Sequence, residues 1–247
     1  MHGLLQNIIY FFGFGLCHQI PERTLAAGGY LFTVCARDTG THVGFAATLV
    51  VAALQFHLRK IRPSDLPPWP MLVVVGLLFI PMGIDGASSY LGLRETTNLI
   101  RFFTGLPAGI AVGILVAPLL SAIHADADPA LKAFKSAPEF IGQVLAAAAL
   151  GSLFYLLYPL LGVLSPWVGI LALLSFVISL NLLVLYGLGR LKRPIRRLAD
   201  WLGPLAWALL MTLVELALLD LIRFLVFGVN RGPTSLLEQL LRFFAVN

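Results

Sequence analysis

PWVGILALLSFVISLNLLVLYGLG, running from Pro166 to Gly189, carries no charged side chain. A helix needs about 20 predominantly apolar residues to cross the hydrocarbon layer of a bilayer. This run meets that requirement, and similar runs flank it along the chain. Read outward from it, the candidates are 203–229 on one side and 140–163, 99–122, 69–88, 40–58 and 3–19 on the other. The segment 3–19 is short and interrupted by Gly13 and Gly15, which suits a re-entrant or half-spanning piece. The expected fold class is therefore all-α: a polytopic integral membrane helical bundle of about seven (six to seven) transmembrane helices in one domain, residues 1–247.

Composition agrees. Of the 247 residues, 59% are hydrophobic and only 12% charged, and mean hydropathy is +0.90. A soluble domain carries roughly 25% charged residues, so a water-facing surface is excluded. The net charge of +5 does not point to nucleic acid, because the basic residues lie in short clusters between apolar runs. Those clusters are Arg59, Lys60 and Arg62; Lys132 and Lys135; and Arg190, Lys192, Arg193, Arg196 and Arg197. They occupy alternate loops and hence one face, which the positive-inside rule makes cytoplasmic. The N-terminus is then cytoplasmic and the C-terminus outside if all seven segments cross; the N-terminus moves outside if 3–19 does not. The loops 17–41, 84–98 and 163–166 face outward in either case. The first apolar run lacks a basic leader and a small-residue cleavage site, so it reads as an uncleaved anchor in a prokaryotic cell (inner) membrane.

Within the spans, Gly105, Gly109 and Gly113 form a small-residue row suited to close helix packing. Pro81 and Pro107 are expected to kink their helices. From Thr234 onward, a Ser235 cap followed by Leu236, Leu237, Leu240, Leu241 and Phe244 reads as a surface-lying amphipathic helix.

The polar residues concentrate in a few stretches. Cys17-His18-Gln19-Ile20-Pro21-Glu22-Arg23-Thr24 ends the first apolar segment. Cys35-Ala36-Arg37-Asp38-Thr39-Gly40-Thr41-His42 leads into the next span. If helical, the latter places Cys35, Asp38 and His42 on one face, although Gly40 disfavours helix there. Thiolate, imidazole and carboxylate are the ligand types zinc takes in tetrahedral sets. Cys17, His18, Cys35 and Asp38 would make one, with His42 as a substitute. Two other readings remain open: a Cys17–Cys35 disulfide on an oxidising face, or two ordinary buried cysteines among helix caps.

A third stretch holds Asp85, Asn98 and Arg101, with Asp85 and Arg101 expected to pair across a helical hairpin. Arg23, Arg37 and Arg101 together suit an anionic group such as phosphate or a lipid headgroup. In the last span, Asp220 and Arg223 are spaced to pair with each other, while Glu215 has no obvious partner. A carboxylate of that kind is the best support for ion coupling by Glu215 or Asp220. Nucleotide-binding loops, HExxH and GxSxG are absent from the sequence.

These motifs resemble a family of uncharacterised predicted membrane proteins from bacteria and archaea, a domain of unknown function. The pieces that carry the resemblance are Cys17, His18, Gln19, Pro21, Glu22, Arg23 and Thr24; Cys35, Arg37, Thr39 and Gly40; and Asp85, Asn98, Arg101, Thr104 and Gly105. They span about residues 10–115, leaving 116–247 as generic apolar helix. Where the family pattern has a second cysteine, this chain has Asp38. That departure favours metal binding or a structural role over thiol exchange. The resemblance implies no established activity.

The leading expectation is an extracytoplasmic-facing metal site, with zinc as the cofactor and Cys17, His18, Cys35 and Asp38 as ligands. Arg23, Arg37, Asp85, Asn98 and Arg101 would contact substrate or orient the ligands. If the protein is an enzyme, it is metal-assisted and acts on a lipid-like or phosphate-bearing substrate. The alternatives are a small-ion or anion transporter using Glu215 or Asp220, or a structural subunit of a membrane complex. The lipid bilayer is the expected partner, with a second copy or a larger complex left open.

Overall fold

The computed structural model describes residues 2–190 and 195–227. Six helical segments are long and apolar enough to cross a membrane: 36–58, 69–90, 98–121, 137–161, 164–187 and 199–227. They fall on the six expected runs after the first, shifted by a few residues at the ends. Lys192, Arg193 and the amphipathic helix expected beyond Thr234 lie outside the described residues.

The first segment forms no helix long enough to cross. Helix α1 (His2–Phe11) has 10 residues, roughly 15 Å at 1.5 Å per residue. It docks instead on a β-hairpin that the loop reading of 17–41 had missed, formed by β1 (Thr24–Ala27) and β2 (Tyr30–Cys35). Ala27 faces Tyr30 across a two-residue turn in which Gly28 and Gly29 both have positive φ, +59° and +82°. Glycine enters that region without steric cost, and a pair of such residues makes the hairpin turn that matches strand twist. Gln6 exchanges two hydrogen bonds with the backbone of Leu31, and Ile9 is buried against Tyr30 and Ile170. Helix α1 thus lies at the same end of the bundle as the cysteine motifs, not across the membrane from them.

From Cys35 the chain enters α2 (Ala36–Leu58), helical through Gly40. Next come β3 (Pro63–Asp65), α3 (Trp69–Leu77) and α4 (Ile80–Tyr90), the last two forming one span broken just before Pro81. Then follow α5 (Asn98–Ser121), β4 (Asp128–Lys132), α6 (Ala137–Leu161), α7 (Leu164–Gly187) and α8 (Leu202–Phe227). Helix α5 stays continuous through Pro107 and Pro118, and the Thr97 side chain caps its first turn by accepting from the Ile100 N–H at 3.3 Å. At the opposite end from the hairpin, β3 pairs in parallel with β4 and Ala125 bonds to Ile195. The three basic loops therefore share one end.

The centre is the α2–α5 pair. A Cβ on Gly105 or Gly109 would strike the Arg37 or Thr41 carbonyl, and one on Gly40 or Gly44 would strike the Phe102 or Leu106 carbonyl. The expected glycine row on α5 is a packing seam, and α2 answers it with its own glycines. Gly40, which disfavours helix by propensity, is retained because only a bare Cα fits there. Around this pair, α6 and α8 present mostly leucine to the outside, as helices facing lipid do.

Candidate functional site

At the hairpin end, six pieces of chain converge on a cleft of about 230 Å³. The turn after α1 brings Cys17 and His18, and a single 3-10 turn, Pro21–Arg23, brings Arg23. The end of β2 brings Cys35, and the first turn of α2 brings Arg37 and Asp38. The end of α4 contributes Ser89 and Tyr90, and the first turn of α5 contributes Arg101.

The turn carrying Cys17 is held on three sides. Gln19 has φ +52°, a conformation costly for a residue with a side chain. Its buried amide offsets the cost by donating to the carbonyls of Tyr10 and Thr33, each at 2.9 Å. From α8, Asp220 accepts from the Gly15 N–H at 2.6 Å. Arg223 donates to the carbonyls of Phe14 and Cys17, and to that of His18 at 3.4 Å. Its guanidinium lies 4.4 Å from the centre of the Phe14 ring. Asp220 and Arg223 were expected to pair with each other. Both instead reach the turn, whose open backbone groups need partners more than the two charges need each other. Gly15 allows this approach, since a Cβ there would collide with the α8 backbone at Leu219, and Gly13 likewise lets the turn close on Thr33 of β2.

The two cysteines are free thiols. Ligand atoms of Cys17, Cys35 and Asp38 all lie within 4.8 Å of one another. The Cys17 sulfur accepts from the Cys35 backbone N–H at 3.2 Å, at the start of α2, and the Cys35 thiol lies 3.2 Å from Asp38 Oδ2. Hydrogen bonding by the Cys35 side chain lowers the pKa of Cys17 against the opposing effects of burial and the Asp38 charge. The same bond, with burial and Asp38, pushes Cys35 well above the ordinary thiol value. Cys17 is thus the more readily ionised thiol of the two.

His18 and His42 do not join this group. His18 lines the cleft, but the cluster brings together only the two cysteines and Asp38. His42 packs edge-on against Phe176, 5.4 Å between ring centres, with Nδ1 buried and unpartnered.

The expected Asp85–Arg101 pair is also replaced. Asp85 is 0% exposed and binds Arg37 through Nε at 2.9 Å and through Nη2. It also accepts from Arg94 at 2.9 Å and Thr104 at 3.3 Å. Arg101, 5% exposed, donates Nε to the Thr96 carbonyl at 3.2 Å. Among the described residues no carboxylate lies within salt-bridge distance of it. Asn98 donates to the Thr24 carbonyl at 3.2 Å, tying α5 to the hairpin outside the cleft. Glu215 has a partner after all: it accepts from Asn181 at 2.9 Å, in the α7–α8 contact and away from the cleft.

The molecule so defined is a helical membrane protein with six candidate spans among the described residues and a cleft holding a thiol–carboxylate cluster and arginines at one end. The chain matches, over residues 17–115, the family described as Predicted membrane protein (DUF2085), and it belongs to that family. An uncharacterised protein of Methanothermobacter thermautotrophicus is 38% identical over 100 residues, 40% of this chain and 83% of its own length. One of Methanocaldococcus jannaschii is 31% identical over 105 residues, 42% of this chain and 63% of its own. No solved structure matches. The family match contains the cluster and the arginines; Asp220 and Arg223, which grip the Cys17 turn, lie outside it.

Proposed function

We propose that the chain is a membrane-embedded, metal-dependent enzyme centred on Cys17, Cys35 and Asp38, with zinc as the ion. The observation that carries this reading is the mutual approach of two sulfurs and a carboxylate oxygen within 4.8 Å. Two thiolates and a carboxylate are ligand types that suit zinc. Zinc, if held there, would supply Lewis-acid chemistry. The chain's own contribution is to hold the ligands: Gln19 and Arg223 fix the Cys17 turn, and the α2 N-terminus favours a thiolate at Cys17. The cleft opens outside the cytoplasm in this reading, because the basic loops gather at the other end. Ion coupling through Glu215 and Asp220 is the weaker reading, since both carboxylates serve contacts within the fold.

Elemental analysis of gently purified protein, with a thiol count after denaturation, tests the centre. About one equivalent of zinc is expected, with both cysteines free and the metal lost in Cys17→Ser and in Cys35→Ser. Metal content unchanged by those substitutions, or a protein with neither metal nor free thiols, would sink the proposal. For sidedness, a cysteine placed at Lys60 in a background with Cys17 and Cys35 changed to serine should react with an impermeant maleimide only after the membrane is opened. Labelling in intact cells would reverse the orientation.

A further inference from the structure

We infer that Arg23 and Arg101 form the receiving site for a phosphate group, carried by free phosphate or by a lipid headgroup. The inference names the substrate class of the centre proposed above and rests on that reading for its chemistry, though not for its binding groups.

Arg101 is 5% exposed, lines the cleft and has no carboxylate partner among the described residues. The nearest candidate, Asp85, is already shared by Arg37, Arg94 and Thr104. A buried guanidinium without a counter-ion is expensive, and a fold keeps one where an anion arrives to pair with it. Arg23 lines the same cleft, and no carboxylate pairs with it among the described residues. Two planar guanidinium forks lining one small cleft suit the oxygens of a phosphate.

Cys17, Cys35 and Asp38 line the same cleft. A phosphate monoester has three terminal oxygens and so offers acceptors to both arginines. A carboxylate brings one negative charge to the two guanidiniums, where a phosphate monoester brings up to two. The volume, about 230 Å³, falls below the roughly 300–1,000 Å³ of pockets that enclose whole drug-sized ligands. It fits a phosphate and its immediate attachment, not a nucleotide. The recess is also suited to a lipid source. Leu173 packs on Cys17, so α7 runs roughly 13 Å from its start at Leu164 before reaching that level.

The test uses the full chain in phosphatidylcholine nanodiscs, loaded with zinc. Inorganic phosphate is titrated by calorimetry, and a second set of discs containing phosphatidic acid is followed by the ³¹P headgroup resonance. Arg23→Gln and Arg101→Gln should each weaken binding about tenfold or more, with Arg94→Gln unchanged. Binding of inorganic phosphate identifies the free anion as a source. A response from phosphatidic acid alone identifies the headgroup. Either supports the site if it depends on the two arginines. If Arg101→Gln does not fold, Arg23→Gln on its half-buried turn decides. Wild-type affinity in Arg23→Gln, or no response to either probe, overturns the inference. Arginine-dependent binding that persists in a metal-free Cys17→Ser/Cys35→Ser protein would keep the phosphate site and remove the metal centre; zinc bound normally beside arginine-independent phosphate binding would do the reverse.

Discussion

The α2–α5 pair and helix α8 join the bundle in opposite ways. Helices α2 and α5 meet backbone to backbone, through Gly40 and Gly44 on one side and Gly105 and Gly109 on the other, with Gly113 seated against the Thr48 side chain. Helix α8 buries only Ala208, Thr212 and Leu216 and is otherwise fastened by polar side chains: Thr212 and Glu215 to Asn181, Asp220 and Arg223 to the Cys17 turn. In lipid, apolar area drives little helix association, so close van der Waals packing and internal hydrogen bonds must supply it. The first device spreads its contribution over a long seam. The second concentrates it in a few groups and leaves the rest of the helix to lipid.

The sharpest break of this contrast is Gly109→Leu. The obstacle is the Thr41 main chain, which cannot rotate away. The cost should exceed the roughly 1–3 kcal/mol usual for overpacking, a large part of a total stability of about 5–15 kcal/mol. Loss of the monodisperse peak on size exclusion is the expected outcome. Gly142→Leu on α6, where a Cβ meets nothing within 4 Å, should elute and melt like the parent. Equal behaviour of the two would show that the seam is not what holds α2 to α5.

Next in size is Asp85→Ala, which strands Arg37 in the site end of the same pair. Removing one partner of a buried ion pair costs about 3 kcal/mol or more. Thermal unfolding in detergent should fall accordingly. A double change, Arg37→Met with Asp85→Leu, should recover much of the loss, because no uncompensated charge remains. A double variant no better than the single would mean that Asp85 acts mainly through Arg94 and Thr104.

How far these regions were legible follows from the same physics. The six spans could be read from the sequence because bilayer thickness imposes a length and lipid imposes a composition. The glycine row on α5 could be read because small residues at that spacing have few other uses in lipid. The hairpin was readable in principle: Gly28-Gly29 precedes Tyr30-Leu31-Phe32-Thr33-Val34, a turn signal followed by a strand-like run. An apolar-rich chain hid it inside a presumed loop. Ion-pair partners were not legible. Asp85 sits one hairpin away from Arg101 in sequence, yet packing delivers it to Arg37 on α2. Neighbouring positions also do not ensure a shared centre, as His18 beside Cys17 shows.

The smallest effect is the most diagnostic for α8. Arg223→Gln removes charge-assisted hydrogen bonds to the Cys17 turn, about 1.5–3 kcal/mol at most, so the bundle should persist. The readout is alkylation of Cys17 by a small neutral reagent in chelator-treated protein, measured against pH. Only the thiolate reacts. With its pKa lowered, Cys17 should titrate below the ordinary thiol range and Cys35 well above it. The linkage signs are opposite. The Cys17 contribution to stability is present above the unfolded thiol value and is lost as pH falls through its lowered value. The Cys35 contribution is present below the unfolded value and is lost as pH rises through its raised value. Two features of the Cys17 profile then separate what Arg223 does. The plateau rate reports how often the turn opens, and the midpoint reports the local field. Losing the clip should raise the plateau several-fold, in proportion to the opening equilibrium. Losing a cation from beside the Cys17 carbonyl should move the midpoint upward. Glu215→Gln, on the same helix but bonded to Asn181, should do neither. A plateau unmoved by Arg223→Gln would mean that Gln19 and the hairpin hold the turn alone, leaving α8 attached to the site without controlling it.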